Sequence, residues 1–204
     1  SSVCVLLNYL TSTQKRSIDH LQNVKVKDYK TYLKMDIHTK RNLELTENLR
    51  TKERTYSLLW LLDKTKTAMG SRMLKQMIEN PLIDKEEIEN RYDMVSKLLE
   101  EFLLKDELKE LLNEVYDLER LAGRVSFGNA NARDLLQLKS SLKVLPRIKE
   151  IVSILGFNLV IDDLTDLYEF LDKSIYENPP ITLKEGYLIK SGYNKELDDL
   201  KLVK

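Results

Sequence analysis

The sequence predicts a mainly α protein: an irregular multi-helix core with one short N-terminal strand and a small hairpin-like segment near the C-terminus. Three observations carry that expectation. Gly and Pro together supply only ten of 204 residues, against an average combined share of about 12%. The chain is 42% apolar and 32% charged, which suits long helices with solvated outer faces and argues against a β-sandwich, collagen or disorder. Finally, apolar residues recur at helical spacing along most of the chain, and a chain of this length can bury roughly 70% of its unfolded surface.

In chain order, residues 3–14 read as the end of a helix with Leu6, Leu7 and Leu10 on one side. The chain opens on Ser1 rather than Met and directly in that pattern, so a piece of a longer polypeptide is expected. Val24-Lys25-Val26-Lys27 alternates with period two, as a half-buried strand does. Asp36 is placed to N-cap a short helix through Leu43, and Arg54 to Leu62 predicts another. From Thr67 to Glu79, Met69, Met73, Leu74, Met77 and Ile78 form one stripe, expected to be core, that stops at Asn80-Pro81. Asp84 and Glu87 resemble a capping box for a helix whose seam is Ile88, Tyr92, Val95, Leu99 and Phe102.

Two shorter helices are expected around Leu108 to Val115 and Leu118 to Ala122, then a loop from Gly123 to Ala130. Asn131, with Asp134 at the third helical position, caps the next helix, whose Leu135, Leu138, Leu142 and Leu145 run into Pro146. A kink or restart is expected there, because proline lacks an N–H and restricts the residue before it. Leu164, Leu167, Tyr168, Leu171 and Ile175 mark one more helix, closed by Asn178-Pro179-Pro180. Ile181 to Lys190 alternates around Gly186 as a hairpin or extended pair would, and Asn194 to Lys204 reads as a helix cut short.

The net charge is zero, yet residues 1–80 hold fifteen Lys/Arg against eight Asp/Glu and the remainder is correspondingly acidic. That split fits either an electropositive face for nucleic acid or two lobes that attract each other. Arg50, Lys52, Arg54, Lys64, Lys66, Arg72 and Lys75 could touch phosphates, but no aromatic residues interleave to stack bases. The single cysteine, Cys4, cannot close an intramolecular disulfide; it fits a reducing compartment and is expected in a core. No stretch approaches the length of a membrane span and no signal segment opens the chain, so a soluble, cytoplasmic protein is expected.

The chemistry of a catalytic centre is sparse. His20 and His38 lie far apart without metal-ligand spacing. Gly123 and Gly128 have the glycine spacing of a phosphate loop, but Asn129-Ala130 follows where Lys and Ser or Thr are required. Asp162-Asp163 and Asp198-Asp199 are adjacent in sequence and suit capping. The residues therefore assign no catalytic, cofactor-binding or metal-ligating position, and DNA-contacting positions stay unassigned.

Several ordered motifs carry a resemblance. Met35 to Thr46, Leu58 to Thr65, Met69-Gly70-Ser71-Arg72, Asn80-Pro81-Leu82, Asp117-Leu118-Glu119-Arg120-Leu121 and Asn131-Ala132-Arg133-Asp134-Leu135 resemble the core domain of the MutS family of DNA mismatch repair proteins. Pro179-Pro180, Glu185-Gly186, Ile189-Lys190, Gly192-Tyr193-Asn194 and Glu196-Leu197-Asp198 are similar to the stretch leading into that family's clamp. The resemblance implies residues 1–34 as the end of a connector domain, 35–193 as the helical core or lever domain, and 194–204 as the start of the helix entering the clamp.

It further implies a parent that is a DNA-dependent ATPase using ATP and magnesium, with mismatched double-stranded DNA, a second copy of itself and a MutL-type protein as partners. The family senses mismatches through Phe-x-Glu, and none of Phe102, Phe127, Phe157 or Phe170 has Glu two residues later. The connector-like residues before Met35 favour the mismatch-repair branch over the paralogues that lack a connector. The expected role is a mechanical link between nucleotide site and DNA clamp, inert as an enzyme by itself. Alternatives are a helical protein-interaction scaffold using the seams at 88–102 and 135–145, and an independent DNA-binding module using the basic first part.

Overall fold

The structure is a computed structural model that describes residues 2–13, 31–180 and 185–202. Among the described residues there are ten helices and two isolated antiparallel bridges, so the mainly α expectation holds. The expected strand at Val24–Lys27 lies outside the described residues. Helix α1 (Ser2–Thr13) buries no residue. Cys4 is therefore exposed, not in a core as expected.

Helix α2 (Ile37–Asn42) starts where expected, with the Asp36 carboxylate accepting the Thr39 N–H at 2.7 Å. It stops at Glu44, whose φ of 47° is left-handed. The Leu45 N–H reaches back to the Lys40 carbonyl and the Glu44 N–H to that of Arg41, the crossed pair that ends many helices on glycine. A non-glycine residue there costs about 1–2 kcal/mol. Two bonds offset it: the Glu44 carboxylate accepts the Leu49 N–H at 2.8 Å, and its carbonyl accepts the Leu58 N–H at 3.0 Å.

Helix α3 (Leu58–Leu62) is shorter than the expected Arg54–Leu62. Tyr56 is left-handed at φ 67°, and Ser57, buried, donates its hydroxyl to the Arg54 carbonyl and accepts the Trp60 N–H. Residues 54–57 thus form a capping turn, because a serine hydroxyl competes with helical bonding. Helix α4 (Ala68–Glu79) follows, capped by the Thr67 hydroxyl on the Gly70 N–H. A Cβ at Gly70 would stand 3.0 Å from that oxygen and 3.3 Å from the Thr65 Cβ, so a larger residue would push the two threonine side chains aside by a few tenths of an ångström. Of its methionines, Met69 packs on the core while Met73 is exposed, so the stripe is core only in part. Residues 31–33 and 81–83 pair through Tyr32 and Leu82, clasping the segment that holds α2 to α4.

Helix α5 (Lys85–Glu100) is capped by Asp84 on the Glu87 N–H. The seam expected to run through Phe102 breaks at Glu101, whose backbone (φ −95°, ψ 62°) leaves the helix and starts α6 (Phe102–Asn113). Helix α7 (Leu118–Ser126) carries Gly123 inside it, so the loop begins later than expected. The left-handed residue is Gly128 (φ 69°), with the Gly128 N–H on Val125 and the Asn129 N–H on Arg124.

Helix α8 (Ala132–Ile154) has the expected cap as a full reciprocal box: Asn131 accepts the Asp134 N–H, and Asp134 accepts the Asn131 N–H. Of the kink or restart expected at Pro146 there is no restart: the helix runs through it. An interior proline costs about 3 kcal/mol, and the burial of six apolar residues on this helix outweighs it. It stops at Gly156 (φ 67°), beyond which Phe157 folds back on Val152. Helix α9 (Thr165–Ser174) and helix α10 (Lys195–Leu202) complete the chain. Of the expected hairpin or extended pair, residues 188–190 pair with 174–176 around the Ile175–Ile189 bridge, and 181–184 lie outside the described residues.

Two apolar clusters form the core, and α8 supplies both. Val144, Ile148 and Val152 pack with Val115, while Ala132 and Leu142 pack with Leu171 and Ile175. Leu142, Ile151 and Ser141 are almost wholly enclosed. By contrast, the total accessible surface is 15943 Å², whereas a compact monomer of 23.9 kDa would show about 9,900 Å². Apolar side chains share in that exposure: Tyr92, Val95 and Leu99 on α5 are all more than half exposed.

The packing predicts the cost of opening a hole in α8. Ile151→Ala should destabilise the chain by about 2–5 kcal/mol in urea unfolding, since Ile151 is wholly enclosed and its truncation leaves a cavity.

Candidate functional site: the ion-paired joints between helices

The polar residues converge on a few points where helices meet. Asp63, at the end of α3, is one. One of its carboxylate oxygens accepts the Ser71 hydroxyl of α4 at 2.5 Å and the Arg54 guanidinium; the other accepts the Thr65 hydroxyl at 2.6 Å and the Thr65 N–H at 3.0 Å. The hydroxyls of Ser71 and Thr65, then Arg54, hold the Asp63 carboxyl well below the usual carboxylate range. Local sequence explains the arrangement, because Asp63 caps a turn that brings α4 back along α3.

A second joint spans 45 residues. Arg72 of α4 donates two parallel bonds of 2.7 Å to Asp117, and its ε and η2 nitrogens also bond Glu119. Asp117 is simultaneously the N-cap of α7, accepting the Arg120 N–H. Bidentate guanidinium–carboxylate geometry fixes orientation as well as distance. The Arg72 fork lowers the Asp117 pKa, and Asp117 and Glu119 in turn raise that of Arg72. Met69, one turn away, inserts into the Val115 cluster beside it. Further joints are Arg124 to Asp134 between α7 and α8, Arg147 to Glu107 between α8 and α6, and Lys139 to Asp172 between α8 and α9.

These contacts redistribute the residues singled out from the sequence. Of the seven basic candidates, Arg54, Arg72 and Lys75 are engaged by Asp63, Asp117 and Glu79, while Arg50, Lys52, Lys64 and Lys66 carry no ion pair among the described residues. The opposite charges of the two chain parts meet, among the described residues, only through Arg72. Asp162 accepts the Leu164 N–H, Asp163 faces Lys149, and Asp198 accepts the Gly192 N–H, so the acidic pairs serve as caps and ties. His38 is exposed on α2, and His20 lies outside the described residues. Among the described residues no group of three or more His, Cys, Asp or Glu could hold a metal ion.

Gly123 to Gly128 does not fit a nucleotide. Gly123 is helical, Gly128 ends the helix, and no lysine follows to reach a phosphate. The seam at 135–145 is closed by α9, which removes it as a docking face, whereas the 88–99 seam is open. No helix among the described residues is long and apolar enough to cross a membrane.

Fold and joints together define a packed helical domain whose charged residues lock one helix to the next. Comparison with known proteins gives its kinship. The family described as MutS domain III matches residues 38–201. DNA mismatch repair protein MutS of Bacillus cytotoxicus is 55% identical over 97% of the chain, and those of Bacillus cereus and Bacillus thuringiensis are 56% identical over the same share. The chain belongs to the MutS family, as its domain III. It spans 23% of the length of these relatives.

Arg72 and Asp117 escape sequence reasoning because spacing along the chain carries no distance. One signal was available: both lie inside the short motifs, Met69 to Arg72 and Asp117 to Leu121, that carry the family resemblance.

Two outcomes are expected. In a double-mutant cycle on Arg72→Lys and Asp117→Asn, the double variant should melt no lower than the worse single variant, since either change already breaks the fork. Asp63, depressed in the folded state, binds protons less readily there than in the unfolded chain, where its ordinary value is 3.8. Its contribution is thus full above that value and falls away as pH drops below it. Urea midpoints followed from about pH 5 to about pH 2 should decline less steeply for Asp63→Asn than for the native chain.

Proposed function

We propose that this chain is the central core of a mismatch-recognition ATPase and passes displacement between the nucleotide-binding part and the DNA-clamping part of the longer protein. Residues 1–34 end the preceding connector domain, 35–193 form the core, and 194–204 begin the helix into the clamp. ATP and magnesium act elsewhere in that parent, which binds mismatched duplex DNA, pairs with a second copy and engages a MutL-type partner in the cytoplasm. The chain alone catalyses nothing.

The observation that supports this reading is the Arg72 fork. A link of this kind must convert movement of one helix into movement of the next, and packed interfaces with fixed bonds do so because they resist continuous deformation. Arg72 ties α4 to the first turn of α7, α7 packs on α8, and α8 carries α6 and α9.

The test belongs in the full-length protein. Asp117→Asn should leave basal ATP hydrolysis and mismatch binding near native levels while weakening the ATP-driven change in DNA lifetime several-fold, on the order of the usual 1–3 kcal/mol coupling between linked sites. Unchanged coupling in a folded variant would sink the proposal. The competing reading, a helical interaction scaffold without a DNA role, draws on the exposed α5 seam of Tyr92, Val95 and Leu99. It expects no effect on DNA lifetime at all.

A further inference from the structure

Between α2, the 44–57 loop and α4 lies an open basin of about 600 Å³. Lys40 and Arg41 enter it from α2, Lys52 from the loop and Lys75 from α4, with Glu47 and Glu79 among them. Lys75 stands 4.0 Å from Glu79; the other three cations have no ion pair among the described residues. Their neighbours Arg54 and Arg72 are held by Asp63 and Asp117, so the basin collects Lys40, Arg41 and Lys52, which no described residue pairs.

The loop that forms its wall is firmly built. The Asn48 N–H donates to the Glu53 carbonyl at 2.8 Å, the Lys52 N–H to the Asn48 carbonyl at 2.9 Å, and the Leu49 N–H to the Glu44 carboxylate. Within this frame Lys52 is left-handed, at φ 56°, although it is exposed and no packing demands a lysine there. Glycine would adopt that conformation without strain. Glu44, Tyr56, Leu164 and Tyr187 share that region, and at Lys52 the fixed backbone sets where the side chain enters the basin.

We propose that the basin receives an acidic polypeptide segment from the part of the longer protein outside these 204 residues. Carboxylates of that segment pair with Lys40, Arg41 and Lys52, while Glu47 and Glu79 accept its N–H groups. The rim offers Met35 and Ile37, the latter 76% exposed, to an apolar side chain. Interleaved acids and an apolar rim suit a polypeptide better than a phosphodiester backbone, which is tracked by uninterrupted cations. Most of the length of the relatives lies outside the matched segment, so such a segment is available within one chain. The proposal rests on family membership and is independent of the force-transmitting role.

Carbodiimide crosslinking of the full-length protein, read by mass spectrometry, tests it, since the reagent joins a lysine amine to a touching carboxylate. Lys75 to Glu79 serves as the internal control. Lys40 and Lys52 are expected to crosslink to Asp or Glu beyond residue 204 or before residue 1. Lys52→Gly, which relieves backbone strain, should leave the melting temperature of the full-length protein no lower and yet cause loss of the Lys40 crosslink. Three results overturn the proposal: crosslinks only within residues 1–204, crosslinks only between isotopically distinct copies, or no crosslink together with protection of Lys40 and Lys52 from acetylation by duplex DNA.

Discussion

Helix α8 is the constraint on which the rest of the molecule depends. One helix of 23 residues supplies apolar side chains to both core clusters, and α6, α7 and α9 all pack against it. Its enclosed residues include a polar one. The Ser141 hydroxyl donates to the Gln137 carbonyl and accepts the Tyr116 N–H, fastening the turn between α6 and α7 to the centre of α8. A buried hydroxyl with both partners in place stabilises, whereas one left without them would cost about 1–3 kcal/mol. The helix is thus fixed in rotation as well as position, and everything packed upon it inherits that fixity.

Electrostatics finishes what burial begins. The apolar clusters are modest for so long a chain, and side-chain forks reinforce the same helix pairs that they join. Arg147 illustrates the overlap: its guanidinium meets Glu107 of α6 at 2.6 Å while it also bonds Glu150 on its own helix, and both α6 and α8 pack in the Val115 cluster. Partly exposed pairs of this sort contribute little to stability individually. Their value lies in geometry, since a bidentate fork permits one mutual orientation where apolar contact permits several.

The α-helical class and most helix starts were legible because caps are local chemistry. Asp36, Asp84 and Asn131 each accept the N–H three residues on, as their spacing implied. Where sequence reasoning failed, a tertiary contact overrode a local preference. The stretch before α3 is a turn because the Glu44 and Leu45 carbonyls take the Leu58 and Leu59 N–H groups. Glu101 breaks a seam whose apolar spacing continued through it. The joints were illegible for a simpler reason: Arg72 and Asp117 become neighbours only after α4, α5 and α6 have been placed. Family resemblance located their motifs without revealing that they touch.

The clasp between residues 31–33 and 81–83 has a consequence for motion. It brings the chain back to where it started, so α2, α3 and α4 hang from a two-stranded stem instead of being threaded between neighbours. Their other main attachment is at Arg72 and Met69. The two ends of residues 31–83 thus meet at one place, so whatever displaces this corner acts on both of its chain ends together.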